Sequence, residues 1–86
     1  VKETAAQIAA RGGVAHAYVL DVSDADAVES FAERVCAEHG LPDIVVNNAG
    51  IGQAGGFLDT PAEQFDRVLD VNLGGVVNGC RAFGKR

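Results

Sequence analysis

Three stretches of this sequence hold side chains that could do chemistry. In the first, the run Asp43-Ile44-Val45-Val46 leads straight into Asn47-Asn48-Ala49-Gly50. Amide side chains both donate and accept hydrogen bonds, and small residues let a ligand approach the backbone. In the second, Asp21-Val22 closes an apolar run and sets a carboxylate acceptor at its end. In the third, Asn72 sits within Val71-Asn72-Leu73-Gly74-Gly75. An amide buried without partners costs about 1–3 kcal/mol, and each glycine weakens a helix by up to about 1 kcal/mol. A polar group at a weakened point of a helix is where local rules give way to function. Blander roles stay open: Asp21 could simply cap the next helix, and Asn72 could be a core amide bonded to backbone.

The elements that would position these groups follow from the pattern. Residues 2–11 carry Ala5, Ile8 and Ala9 at helical spacing, and Gly12-Gly13 supplies the stop. Residues 14–20 are mainly apolar and predict a strand. Ser23-Asp24 offers a cap to a helix whose face is Val28, Phe31, Ala32, Val35 and Cys36, running to about His39 before Gly40 and Pro42. Residues 44–47 predict a second strand, covered on both faces because it shows no polar alternation. Residues 50–59 form a glycine-rich loop. Thr60-Pro61-Ala62-Glu63 predicts a capping box, and the last helix runs from Pro61 towards the end. Its expected apolar face is Phe65, Val68, Leu69, Asn72, Val76, Gly79 and Phe83. The order αβαβα predicts an α/β protein: part of a Rossmann-type, doubly wound parallel sheet. Ligands of such sheets bind outside the carboxyl ends of the strands, where Asn47 to Gly50 would lie.

Composition narrows the classes. The chain has 86 residues, 48% of them hydrophobic, and a net charge of −5. The seven Lys and Arg do not cluster, so the basic stripe that nucleic acid requires is missing. No apolar run nears the roughly 20 residues of a membrane span. Cys36 and Cys80 have neither metal nor redox spacing and are expected as reduced thiols, which suits the cytoplasm; no metal site is expected. His16 and His39 have no partner pattern. The first residue is Val, and both ends fall inside expected helices, so the sequence is expected to be a central fragment of a single domain, truncated at both ends.

Gly50-Ile51-Gly52-Gln53-Ala54-Gly55 matches G-x-G-x-x-G after an expected strand. That motif needs a helix opening at its third glycine to hold a pyrophosphate. The next helix signal comes five residues later, at Thr60. A loop over a binding cleft is therefore the expectation.

Asp21-Val22, Asn47-Asn48-Ala49-Gly50 and Asn72-Leu73-Gly74-Gly75, in this order and spacing, resemble the short-chain dehydrogenase/reductase family along essentially the whole chain. The loop 50–55 and the tail Asn78-Gly79-Cys80-Arg81 are similar to actinobacterial members, some of which are fused behind an α/β-hydrolase domain. The resemblance implies an NAD(P)-binding domain and hydride transfer between the nicotinamide of NAD or NADP and an alcohol or ketone. It implies that Asp21 accepts from the adenine amino group and that Val22 lines the adenine pocket. It implies that Asn48, Ala49 and Gly50 lie along the adenosine ribose and phosphates, and that Asn47 ties its strand to its neighbours. It further implies that Asn72 is the catalytic-site asparagine, at a helix kink that holds a water of the proton relay. The parent is expected to assemble as a homo-oligomer through the last helix, with Leu73 and Val77 on a second apolar strip.

The family's glycine-rich phosphate turn, catalytic serine and Tyr-x-x-x-Lys pair have no counterpart in this sequence. The only tyrosine is Tyr18, and Val22 stands four positions on. The chain alone is thus expected to be inactive. The competing expectation is a nucleotide-binding module of the same fold without catalysis.

Overall fold

The computed structural model describes residues 1–52 and 55–86. Its regular elements are helical: α1 (Lys2–Ala10), α2 (Ala25–His39), a 3-10 turn (Phe57–Asp59), α3 (Ala62–Leu69), a π-helical turn (Asp70–Gly74) and α4 (Gly75–Gly84).

The expected α/β sheet is corrected by this finding: among the described residues there is no strand and no sheet. A strand exists through hydrogen bonds to a neighbour, and residues 14–20 and 44–47 make no such ladder with each other. Leu20 of the first run and residues 44–47 of the second line one cavity. Most of their apolar side chains remain open, with Val19 94% and Ile44 81% exposed, while Leu20 packs against the core. The apolar runs were legible; the pairing they would need is not present.

The helix boundaries follow from their caps. Gly12 N–H donates to Ala9 O and Gly13 N–H to Ile8 O, with Gly12 at φ +86°. This is a Schellman stop, which requires the left-handed conformation that glycine adopts without strain. Asp24 caps α2 by accepting from Ala27 N–H at 3.1 Å, and Gly40 (φ +85°) ends it. The expected capping box at Thr60 does not form. Thr60 Oγ1 donates back to Gly56 O at 3.0 Å, and α3 starts at Ala62 with Pro61 as its cap. The hydroxyl closes the preceding turn, and Pro61, one residue later, takes the cap position with no side-chain hydrogen bond. No helix opens at Gly55, which lies in a bend at φ +109°; Gln53 and Ala54 of that glycine motif lie outside the described residues.

From Ala62 to Gly84 the helix continues through the π turn, where Gly75 N–H donates to both Asp70 O and Val71 O. The residues of this run that bury are Val71, Gly75, Gly79 and Ala82. Of the expected apolar face only Gly79 is among them, and Asn72 sits exposed. The small residues let neighbouring groups approach closely. A Cβ on Gly75 would lie 2.7 Å from Val22 Cγ2, and one on Gly79 would overlap Asn47 Oδ1. Val28 and Ala32 of α2 meet Ala82 in the core, with Leu20 and Phe83 packed alongside. Glu29 ties the two helices at their ends, pairing with Lys85 at 2.7 Å and Arg86 at 3.0 Å.

Candidate functional site

α2 and α4 carry the two polar motifs to one cleft. A cavity of about 310 Å³ is lined by Val22, Asn47, Asn48 and Ala49, with Gly75 and Gly79 also in its wall. Val22 is fixed there twice. Its side chain packs on Gly75, and its carbonyl accepts from Asn78 Nδ2 at 2.9 Å. Asn47 leans on α4, where Gly79 leaves room for its amide and its Nδ2 donates to Cys80 Sγ at 3.7 Å. The expected tie to neighbouring strands is replaced by this packing. Cys36 and Cys80 are both free thiols.

Asp21 stands beside Val22 and is held by its neighbours. Its Oδ1 accepts from Ser23 N–H at 3.0 Å and from Ser23 Oγ at 2.6 Å. Its Oδ2 faces Nη1 and Nη2 of Arg67, each at 3.5 Å. The Ser23 hydrogen bonds, followed by the Arg67 charge, hold this carboxyl below the usual carboxylate range. The cap of α2 is Asp24, so Asp21 is not needed for that role.

Asn72 projects from the π turn to the loop. Its Oδ1 accepts from Ile51 N–H at 2.8 Å and its Nδ2 donates to Ile51 O at 2.8 Å. The backbone dictates which way the amide points, because the N–H must meet the oxygen. Gly50 lies directly against this amide, where a Cβ would be 3.3 Å from Oδ1. A π turn widens the helix locally and is frequent at functional sites. Val22, Asn48 and Ala49 therefore share one cleft, Asp21 flanks it, and Gly50 joins the far end to Asn72.

Sequence reading missed Arg67, Ser23, Asn78 and Ile51. Arg67 looked like an ordinary surface residue, Ser23 was read only as a candidate helix cap, and Ile51 contributes only backbone. Asn78 carried the same signal as Asn72, an amide beside glycine in an apolar helix. The histidines also gained partners: His16 stacks on His39 with centroids 4.1 Å apart. Tyr18 Oη donates to Glu38 Oε2 at 3.0 Å and lies 2.8 Å from His39 Nε2. With its one hydrogen given to Glu38, it accepts from the imidazole. Loss of solvent, then the bond to and charge of Glu38, raise the phenol above its ordinary value. This tyrosine is a fixed member of the α2 surface.

A family model described as Enoyl-(Acyl carrier protein) reductase matches residues 1–86. The chain belongs to the short-chain dehydrogenase/reductase family. Over all 86 residues it is 86% identical to "Probable oxidoreductase EphD" of Mycobacterium tuberculosis, and equally to that of Mycobacterium bovis. The chain spans 14% of the length of those relatives. It is 37% identical over 82 residues to the D-threitol dehydrogenase of Mycolicibacterium smegmatis, covering 95% of this chain and 32% of that protein. Its trace superposes on a metagenomic short-chain oxidoreductase solved in complex with NADP, with a TM-score of 0.91 and 36% identity over 98% of this chain and 38% of that one. Among the described residues, no helix is long and apolar enough to cross a membrane.

Proposed function

We propose that this chain is the central part of a cytoplasmic NAD(P)-dependent oxidoreductase domain, where it holds the adenosine side of the cofactor. The observation that carries the reading is the single cleft lined by Val22, Asn48 and Ala49, with Asp21 at its flank. The residues suit a nucleotide. The Asp21 side chain is 51% exposed and its Oδ2 keeps lone-pair capacity beyond the long Arg67 contacts. An exocyclic amine is the donor such an atom would take. Asn48, Ala49 and Gly50 offer amide groups and close backbone approach to a sugar and phosphates. The nicotinamide, when bound, supplies hydride exchange with an alcohol or ketone. Asn72 serves as the catalytic-site asparagine: its amide pins Ile51, while its π turn widens the helix for a water of the proton relay.

The serine, tyrosine and lysine of the reaction come from other parts of the parent. Support for a long parent comes from the relatives. Similar lengths of chain fill 32% of the D-threitol dehydrogenase and 14% of the mycobacterial oxidoreductase, which is therefore more than twice as long. That leaves room for a second domain, for which an α/β-hydrolase is our proposal. The exposed Leu73 and Val77 on the last helix support assembly of the parent as a homo-oligomer.

The experiment is nucleotide binding and turnover by the full-length parent. Binding of NADH or NADPH with oxidation by a ketone is the expected result. Binding without turnover on any alcohol or ketone would favour a nucleotide-holding module, and absence of binding would overturn the reading.

A further inference from the structure

Resting on that reading, we infer that Arg67 and Ser23 are positioning residues that turn Asp21 into a selector for an adenine base. The geometry is a chain of three groups drawn from two distant segments. Arg67 Nη1 donates to Ser23 Oγ at 2.7 Å, and Ser23 Oγ lies 2.6 Å from Asp21 Oδ1. An ionised carboxylate only accepts and a guanidinium only donates. The serine hydrogen must therefore point to Asp21 and its lone pair to Arg67. That fixes the hydroxyl in one orientation and spends Oδ1 on Ser23. Oδ2 is left with only the two 3.5 Å approaches of Arg67, at the outer limit of a hydrogen bond. It is the one oxygen of the pair free for a ligand donor, and the Ser23 hydrogen bonds, with the Arg67 charge second, favour the ionised carboxylate.

Two consequences follow. Adenine presents an amine where hypoxanthine presents a carbonyl, and an acceptor-only oxygen bonds the first and repels the second. Arg67 also lies on α3, just beyond the loop that leads away from Asn48-Ala49-Gly50. Base recognition at one end of the cleft is thereby linked to the seating of the helix that follows the other.

The test uses the full-length parent and reads binding, as displacement of fluorescent NADH or NADPH by AMP and by IMP. The unaltered protein is expected to prefer AMP by about tenfold, the size of one charge-assisted hydrogen bond at an open site. Arg67→Leu and Ser23→Ala should each cut that preference at least threefold, and Ser23→Thr, which keeps the hydroxyl, should restore it. In Arg67→Leu the preference should fade at a higher pH on acidification, because Asp21 loses the guanidinium; among the described residues, Arg67 is the charged side chain that acts on Asp21. Asp21→Ala is the control for the underlying reading. If it abolishes the preference while Arg67→Leu and Ser23→Ala keep it, the positioning role is wrong. If Asp21→Ala leaves the preference intact, the assignment of Asp21 to the base is wrong. Should Arg67→Leu fail to fold, Ser23→Ala and Ser23→Thr decide the question alone.

Discussion

Asn72 holds Ile51 by both of its backbone polar groups, receiving its N–H and donating to its C=O at 2.8 Å each. A side-chain amide here does what a neighbouring strand does in a sheet, pairing with one residue in both directions. The loop after Asn48-Ala49-Gly50 is thus fastened to the one non-α turn of the long helix.

Replacing Asn72 by Ala removes both bonds. The expected stability loss is about 1 kcal/mol, since water can reach the freed groups. Turnover of the parent should fall by about a hundredfold through misplacement of the loop. Hydrogen exchange should accelerate at the Ile51 amide and stay unchanged at Ala27, which Asp24 caps. Unchanged exchange at Ile51 would rule out the clamp.

The glycines of the last helix should rank by what surrounds them. Gly75→Ala drives a methyl into the stiff, β-branched Val22 and should cost about 1–3 kcal/mol. Gly79→Ala should cost less, because the Asn47 amide can swing away from it. Nothing lies within 4 Å of a Cβ at Gly84, so Gly84→Ala should be neutral or stabilising by up to about 1 kcal/mol. Denaturant midpoints of the three variants check the order.

Acid sensitivity follows from carboxylates held below their ordinary values. Asp21 is lowered mainly by Ser23, Glu29 mainly by Lys85, and Glu38 mainly by Arg34. Each stabilises the folded state fully above its unfolded value of about 4, and that contribution is lost as pH falls through the lower folded value. Melting temperature should therefore drop on acidification below about pH 4, and less steeply in Asp21→Asn. High salt should weaken the exposed Glu29 pairs while sparing the serine bonds to Asp21. Identical acid profiles of the Asn variant and the unaltered protein would refute the assignment.

Leu73 and Val77 are 62% and 37% exposed on the last helix. If they meet a second copy, Leu73→Glu and Val77→Glu should convert the parent to a smaller species. Analytical ultracentrifugation reads this directly, and an unchanged sedimentation coefficient would count against the interface.

The sequence was most legible where a short stretch carries its own physics. Gly12-Gly13, Asp24 and Gly40 each ended or began a helix as expected, because capping is local. Thr60 misled because its side chain turns back to Gly56 O and the helix starts one residue later than the motif implies, with Pro61 as its cap. The sheet could not be read, since an apolar run reveals its own burial preference and nothing about whether a partner is at hand. The packing face of the last helix was misplaced for another reason. Bulk marks a helical wheel, whereas Gly75 and Ala82 serve by being small, and Gly79 alone of the buried residues stood on the expected face. At the candidate site, Asp21, Asn48, Ala49, Gly50 and Asn72 stood out as polar or small residues in odd company, whereas Val22 was marked only by the family resemblance. Arg67 was not: 46 residues separate it from Asp21, and only the fold brings the two together.

The π turn at Asp70–Gly74 also sets the angular phase of everything after it. In a regular α-helix one residue is worth about 100° of rotation. Removing a single residue from this turn would let the helix run on undisturbed, yet it would swing Gly75 and Gly79 away from Val22 and Asn47 and present larger side chains in their place. The segment thus acts as a reading frame in three dimensions: substitutions within it can be absorbed, but a one-residue deletion would garble the whole helix surface downstream.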